Sequence, residues 1–402
     1  GEALHDAVLR THGTRCRIYA PVGAHRDLLA YLVRRLLENG ANSSFVHQIV
    51  DDAVAPETIA RDPFAHCDAA PNPAIAHPAA IYGAGRRAAK GGDLTDPRDL
   101  SDIETGRKPF AKGYRWRAGT GKNTRDVINP ADPSDTVGQV AEATAEEVAD
   151  AIARAAEAQP GWAATPVATR ADILRAAADL YETHTPELLA LCTREAGKTL
   201  SDGVAEIREA VDFLRYYANQ AARAEKDTTA RGVIACISPW NFPLAIFPGQ
   251  IAAALVTGNA VIAKPAEQTP LIASRATALM HAAGVPAEIL HLVPGDGPSV
   301  GAPLTADPRI AGVCFTGSTE VAQIINRQLA KTAPEAMLIA ETGGLNAMVV
   351  DSTALPEQAV RDILASAFQS AGQRCSALRI LYVQRDVEEK VIEMLSGAMD
   401  SL

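Results

Sequence analysis

From residue 232 to residue 263 the chain carries no charged side chain, and this stretch constrains the fold more than any other. A run this long and apolar could cross a bilayer only as one helix. Pro239, Asn241, Pro243, Pro248, Gly249 and Gly258 interrupt it, so it reads instead as buried strand, loop, helix and second strand. The alternation then continues. Strands are predicted over 233–238, 260–264, 289–293, 313–316, 337–340 and 347–350, with helices over 271–283, 321–330 and 356–370. Such a pattern predicts an α/β fold with a largely parallel sheet that binds ligands at the carboxyl ends of its strands. Before it, Ala-rich helical periodicity runs over 144–156, 169–183, 186–196 and 200–224.

Unusual residues cluster where the strands end. Ser238-Pro239-Trp240-Asn241-Phe242-Pro243 follows the first strand; its prolines fix a loop from which the Asn241 amide can donate to an oxyanion. Lys264-Pro265-Ala266-Glu267 follows the second, where a carboxylate can accept from ribose hydroxyls and disfavours a ribose phosphate. Gly295-Asp296-Gly297 and Gly301 follow the third. Phe315-Thr316-Gly317-Ser318-Thr319 follows the fourth and opens a helix, which suits a pyrophosphate. Glu341-Thr342-Gly343-Gly344 follows the fifth, a carboxylate beside a permissive glycine pair. Each alone also reads as a turn or a cap; their order and common placement point to a dinucleotide site.

Six cysteines lack any C-x-x-C pair, and the nine histidines are scattered, so no zinc or other metal site is expected. Cys16, Cys67, Cys192, Cys236 and Cys314 sit among small or apolar neighbours or in loops. Cys375, in Gln369-Ser370-Ala371-Gly372-Gln373-Arg374-Cys375-Ser376, instead follows a predicted helix and is flanked by polar residues and Arg374. Positive charge favours the thiolate, the nucleophilic form. A lone cysteine is usually structural; the strand-end residues upstream are what single this one out. The net charge of -10, with no basic stripe, argues against nucleic-acid binding. The first residues lack the basic and apolar regions of a signal peptide, and no membrane segment is expected, so the chain reads as cytoplasmic.

The stretches Pro239-Trp240-Asn241-Phe242-Pro243, Lys264-Pro265-Ala266-Glu267, Phe315-Thr316-Gly317-Ser318, Glu341-Thr342-Gly343-Gly344 and Gly372-Gln373-Arg374-Cys375 resemble the aldehyde dehydrogenase superfamily from about residue 125 onward. Leu345 departs from the lysine many members carry. The resemblance implies a Rossmann-type parallel sheet and NAD. It also implies Cys375 as nucleophile, Asn241 with the Cys375 N–H for the oxyanion, and Glu341 as the water-activating base. Lys264 and Glu267 would hold the adenine ribose and Gly317 and Ser318 the pyrophosphate, with Ser238, Pro239, Trp240, Gly297, Phe315 and Thr316 around them. Glu209 would line the aldehyde entrance, although a helix-surface charge is the simpler reading, and Ser376 is a second candidate for aldehyde contact.

The first 52 residues carry a different resemblance. Arg17-Ile18-Tyr19-Ala20-Pro21-Val22-Gly23 and 31–45, with Asp27 expected as a helix cap, resemble the end of the proline dehydrogenase (β/α)8 barrel in the bacterial proline utilization A family. That family joins a flavin-dependent proline dehydrogenase to an L-glutamate γ-semialdehyde dehydrogenase. The likeness implies that Tyr19, Arg34 and Arg35 hold the proline substrate, the two arginines binding its carboxylate, for which a guanidinium fork is suited. Arg34 and Arg35 also adjoin Glu38, as on any solvated helix face. Most of the barrel is absent, so the FAD site of the parent protein would be incomplete here.

The expected organisation is therefore 1–52 barrel remnant, 53–125 connector, 126–343 NAD-binding domain and 344–402 start of the thiol domain. Two glycine motifs in the connector, Gly83-Ala84-Gly85-Arg86-Arg87-Ala88 and Gly119-Thr120-Gly121-Lys122-Asn123, lack a strand-to-helix context and read as loops. The chain would be an internal piece of a homo-oligomeric, bifunctional protein, without the substrate-anchoring segment that follows the thiol in the family, and of little activity alone. Rival readings are another aldehyde dehydrogenase, an acyl phosphate or acyl-CoA reductase, or an inactive NAD-binding piece.

Overall fold

Burial of the charge-free segment sets the architecture of residues 76–402. The computed structural model describes residues 2–17, 21–41, 44–62, 64, 72, 74–223 and 228–402, and it falls into two compact units, 1–75 and 76–402. In the larger unit, β1 (Trp116–Ala118), β2 (Arg125–Asn129) and β3 (Asp132–Val140) form one sheet in the order β1-β3-β2. β4 (Val233–Ile237), β5 (Ala260–Lys264), β6 (Leu290–Leu292), β7 (Ile310–Gly317) and β8 (Met337–Thr342) form a parallel sheet in the order β6-β5-β4-β7-β8. β9 (Asn346–Val350) and β10 (Leu378–Val383) form a separate parallel pair.

β4 and β5 are buried along their whole length, as all-apolar strands in the middle of a parallel sheet must be. The chain runs outward from β4 through β5 to β6, then returns to β7 on the other side of β4. The crevice at this reversal lies over the carboxyl ends of β4 and β7, where open parallel sheets bind ligands. The sixth predicted strand does not join this sheet. It is β9, which pairs with β10, a strand the sequence pattern did not reveal because polar Arg379 interrupts its apolar run.

The helical layer comprises Ala145–Ala164, Val167–Thr183, Thr185–Arg194 and Leu200–Ala221. A capping box opens the first: the Thr144 hydroxyl accepts from the Glu147 N–H, and the Glu147 carboxylate accepts from the Thr144 N–H. This helix runs eight residues past its expected end at Ala156, with Pro160 inside it. Tertiary bonds hold the extra turns: Gln159 donates to the Gly258 carbonyl and Trp162 Nε1 to the Leu255 carbonyl, each at 2.9 Å. Tyr181, Leu188, Leu189, Leu191 and Phe247 are wholly buried at the centre, each contributing about 1.5–3 kcal/mol through removal from water.

Much of the stretch read as connector is integral to this unit. The Ala89 N–H bonds to Asp212, the Lys90 N–H to Glu182, and Trp116 Nε1 to the buried Glu187. Glycine and proline punctuation there marks bends whose backbone is satisfied by distant helices, so no structural break falls at 125. The two glycine motifs lie in loops. Beyond β8, a second small core forms around Val350, Ile363, Leu378 and Val391, between β9–β10 and helices Pro356–Phe368 and Arg385–Met399.

In residues 1–75 the main element is helix His25–Gly40, which begins two residues before Asp27. Ala24 occupies the cap position, with no side-chain cap bond. Its apolar positions Leu29, Leu32, Leu36 and Leu37 are exposed. The predicted strand near residue 17 is not seen in the described part, Arg17 and 21–24 being irregular, and Tyr19 lies outside the described residues. Among the described residues no helix is long and apolar enough to cross a membrane.

Arg194 is buried and donates to both Asp135 oxygens at 2.9 and 2.7 Å, and to the carbonyls of Phe110 and Tyr114. Its guanidinium holds the Asp135 carboxyl below the ordinary value. The resulting stabilisation is complete at neutral pH and fades as pH falls through the acidic range. Asp135→Ala leaves a buried cation unpaired and is expected to lower unfolding free energy by about 3–5 kcal/mol, measured by urea titration.

Candidate active site

One cavity of about 810 Å³ opens over the carboxyl ends of β4, β5, β7 and β8. The register of the sheet assembles it. Ile237 at the end of β4 lies opposite Lys264 on one side and Phe315 on the other, and Thr316 lies opposite Glu341. Ser238, Pro239, Trp240, Asn241, Lys264, Glu267, Gly297, Phe315, Thr316, Gly317, Ser318, Glu341 and Cys375 therefore all line the same cavity. Glu209 and Ser376 do not. Both are exposed, Glu209 on its helix and Ser376 beside the thiol, and neither is brought to the cavity wall.

At one end the cavity gathers groups that could hold a dinucleotide. The Lys264 side chain is 5% exposed, and its Nζ donates to the Pro265 carbonyl at 3.1 Å and stands 3.8 Å from Glu267. Burial depresses its pKa, and Glu267, Asp296 and Glu142 offset part of that. Ser318 caps helix Thr319–Thr332 by accepting from the Val321 N–H at 3.2 Å, so the helix N-terminus faces this space. A Cβ at Gly317 would lie 2.5 Å from the Phe315 ring. Any side chain there would press on the buried Phe315 ring, so glycine suits a close approach of a phosphate to this backbone. A cation, a carboxylate and a helix terminus in this order fit the ribose and pyrophosphate of NAD.

At the other end lies the thiol. Helix Pro356–Phe368 stops two residues before its predicted end, because Ser370, Ala371 and Gly372 all adopt left-handed backbone conformations. At Gly372 a Cβ would meet the Ala367 carbonyl at 2.7 Å, so glycine is obligatory. Side chains from other elements hold the turn. Asn241 Nδ2 donates to the Gln373 carbonyl at 2.8 Å, and Arg379 to the Gly372 carbonyl at 2.6 Å. Asn346 Nδ2 reaches the carbonyls of Cys375 and Ala377 at 2.7 and 3.0 Å. An Asn amide nitrogen has two N–H bonds, so Asn241 keeps one for an oxyanion.

The thiols divide by environment. Cys375 and Cys16 are exposed, whereas Cys192 and Cys236 are buried. Burial pushes the Cys192 thiol up. Cys236 faces Cys314 across the β4–β7 ladder, and the hydrogen-bonded partner together with burial raises it well above an ordinary thiol. Cys67 lies outside the described residues. Arg34 and Arg35, in the smaller unit, are exposed and both pair with Glu38, at 2.8 and 2.7 Å.

Sequence reasoning missed Asn346 and Arg379 as supports of the thiol turn. Asn346 follows the glycine pair at the start of β9, a placement that hints at a turn-binding amide. Arg379 lies on the strand the pattern hid.

Comparison with known proteins accords with this geometry. The family model described as Aldehyde dehydrogenase family matches residues 116–402, and that described as Proline dehydrogenase matches residues 1–48. The chain is similar to the Bifunctional protein PutA of Escherichia coli (strain K12), with 50% identity over 96% of this chain and 31% of that protein. It is similar to the crystal structure of Bradyrhizobium japonicum proline utilization A, with 47% identity, a TM-score of 0.77, and coverage of 99% of this chain and 40% of that one. A 1-pyrroline-5-carboxylate dehydrogenase from Thermus with bound NAD is 31% identical with a TM-score of 0.74, covering 79% of this chain and 66% of that one. The chain thus spans about a third of the length of the curated bifunctional relatives it matches.

Iodoacetamide applied to the native protein is expected to modify Cys16 and Cys375 and to spare Cys192 until denaturant is added. Peptide mapping by mass spectrometry checks this, and native Cys192 reacting as fast as Cys375 would contradict it.

Proposed function

The chain belongs to the aldehyde dehydrogenase family, and from that premise we propose that, as part of its parent protein, it oxidises L-glutamate γ-semialdehyde to L-glutamate with NAD, by way of a covalent bond to Cys375. The observation that carries the proposal is the convergence of Cys375, Asn241 and Glu341 on one cavity whose far end holds Lys264 and Glu267.

The Cys375 thiolate adds to the aldehyde carbon, forming a C–S bond and an alkoxide. The free N–H of Asn241 and the backbone N–H of Cys375 hold that oxygen, each such donor contributing about 3–4 kcal/mol where charge develops. Bound NAD supplies the hydride acceptor. As the alkoxide collapses to a carbonyl, the C–H bond breaks with its electron pair and a thioester remains on Sγ. Glu341 then takes a proton from water, the resulting hydroxide adds to the thioester, and the C–S bond breaks to release the carboxylate and restore the thiolate.

Lys264 and Glu267 hold the adenine ribose, Gly317 and Ser318 the pyrophosphate, and Ser238, Pro239, Trp240, Gly297, Phe315 and Thr316 wall the site. Similarity to the Thermus 1-pyrroline-5-carboxylate dehydrogenase supports pyrroline-5-carboxylate, the cyclic form of the semialdehyde, as the source of substrate. The proline dehydrogenase match over residues 1–48 supports a second, FAD-dependent step in the parent protein, with Tyr19, Arg34 and Arg35 on the proline substrate and the arginines at its carboxylate. Release of the two arginines from Glu38 would then accompany proline binding. We also place the parent in the cytoplasm as a homo-oligomer; Cys236 and Cys314, adjacent yet unbonded, suit a reducing compartment.

An acyl phosphate or acyl-CoA reductase would share the thiol and the nicotinamide but has no use for a water-activating carboxylate. Glu341 on the cavity wall favours oxidation. With Glu341→Gln, one equivalent of NADH per thiol is expected in a burst, followed by steady-state turnover well below the parent chain; unchanged turnover would reject the assigned role. Asn241→Ala is expected to lower kcat roughly 100- to 1000-fold, read from NADH absorbance.

A further inference from the structure

The two loops that bring Asn241 and Cys375 together hang from one buried ion pair. Lys198 and Glu206 are 6% and 2% exposed, with Nζ 3.2 Å from Oε1. The other Glu206 oxygen accepts the N–H groups of Leu244 and Ala245 at 3.1 and 2.8 Å, at the end of the loop that carries Asn241. Lys198 Nζ stands 5.0 Å from the centre of the Phe242 ring in that loop, and it also donates to Ser370 Oγ at 3.5 Å in the thiol turn. Beside it, Asp202 accepts from Gln369 at 3.1 Å.

An ion pair this deep is a poor device for stability alone. Its desolvation cost rivals its attraction, and apolar or neutral replacements are often no less stable. What it does well is fix geometry: Glu206 Oε1 makes no hydrogen bond and relies on the Lys198 charge alone, so the pair holds only while the elements keep this arrangement. The thiol turn needs such a fixture, since Ser370 and Ala371 are non-glycine residues in the left-handed region, and such residues persist only where surrounding contacts over-determine them.

We propose that the Lys198–Glu206 pair is a positioning device that sets the Asn241 amide against the Cys375 thiol by tethering both loops to helix Leu200–Ala221 and the turn before it. The proposal rests on the roles given to Cys375 and Asn241 above.

The test is the double variant Lys198→Met with Glu206→Gln, which removes the Lys198 contacts to Phe242 and Ser370 without leaving a buried charge and keeps an oxygen for the Leu244 and Ala245 N–H groups. It is expected to keep the urea midpoint and NAD affinity of the parent chain while kcat falls about 10- to 100-fold, the scale of an ångström misplacement. Amide hydrogen exchange is expected to accelerate in both 240–243 and 369–377, and not in 313–329. Ser370→Ala, which leaves the pair in place, is expected to accelerate exchange in 369–377 alone with a smaller loss of kcat; it serves as the test if the double variant does not fold. Unchanged exchange in 369–377 in either variant, or undiminished kcat, overturns the proposal. Accelerated exchange in both loops, with no aldehyde oxidised even by the parent chain, upholds the tether and rejects the functional reading instead.

Discussion

The register of β4 against β5 and β7 is the constraint on which the rest of the structure depends. β4 is apolar on both faces and lies at the point where strand order reverses. Hydrogen bonding to both neighbours fixes its height in the sheet, and a slip of one residue would turn every side chain to the opposite face. In the observed register Ile237 ends level with Lys264 and Phe315. Three loops then leave the sheet at the same level, and their first polar residues meet over one crevice.

The helical layer that carries this sheet is held by polar groups as much as by apolar contact. Arg170 donates to the Val256 and Trp162 carbonyls, Arg215 to Asp179 and Glu182, and Arg275 and Trp116 to opposite oxygens of Glu187. Glu195 accepts the N–H groups of Leu271 and Ile272, which opens the helix after β5. Burial pushes that carboxyl up to about 8, with the two backbone donors working in the opposite sense. Each of these bonds joins segments far apart in the chain, so the helices are placed relative to the strands and not merely packed beside them.

The candidate site joins two cores of unequal size. The strand ends of β4, β5 and β7 rest on the main core, while the Cys375 turn adjoins a small core around β9 and β10. Asn241 from the first and Asn346 from the second both bond to backbone carbonyls of the thiol turn. Cys375 is therefore located by amides from both sides, although its own turn is conformationally costly. Such strain is tolerable only because the supports are separate and rigid.

How much of this was legible in the sequence follows from the range of the forces involved. Strand and helix alternation, the strand-end motifs and the distinction of Cys375 are local patterns of apolar period, glycine and polar punctuation, and the chain declares them without a structure. The continuation of helix Ala145–Ala164 through Pro160, the incorporation of Trp116 into a sheet, the pairing of β9 with β10 and the exclusion of Glu209 from the cavity depend on partners tens to hundreds of residues away. Lys198 and Glu206 look like ordinary helix-surface charges until the fold buries them. The sequence by itself determined which chemical groups the protein possesses and in what order. Only the tertiary structure decided which of them meet, because desolvation and hydrogen-bond geometry act between segments that the linear pattern does not relate.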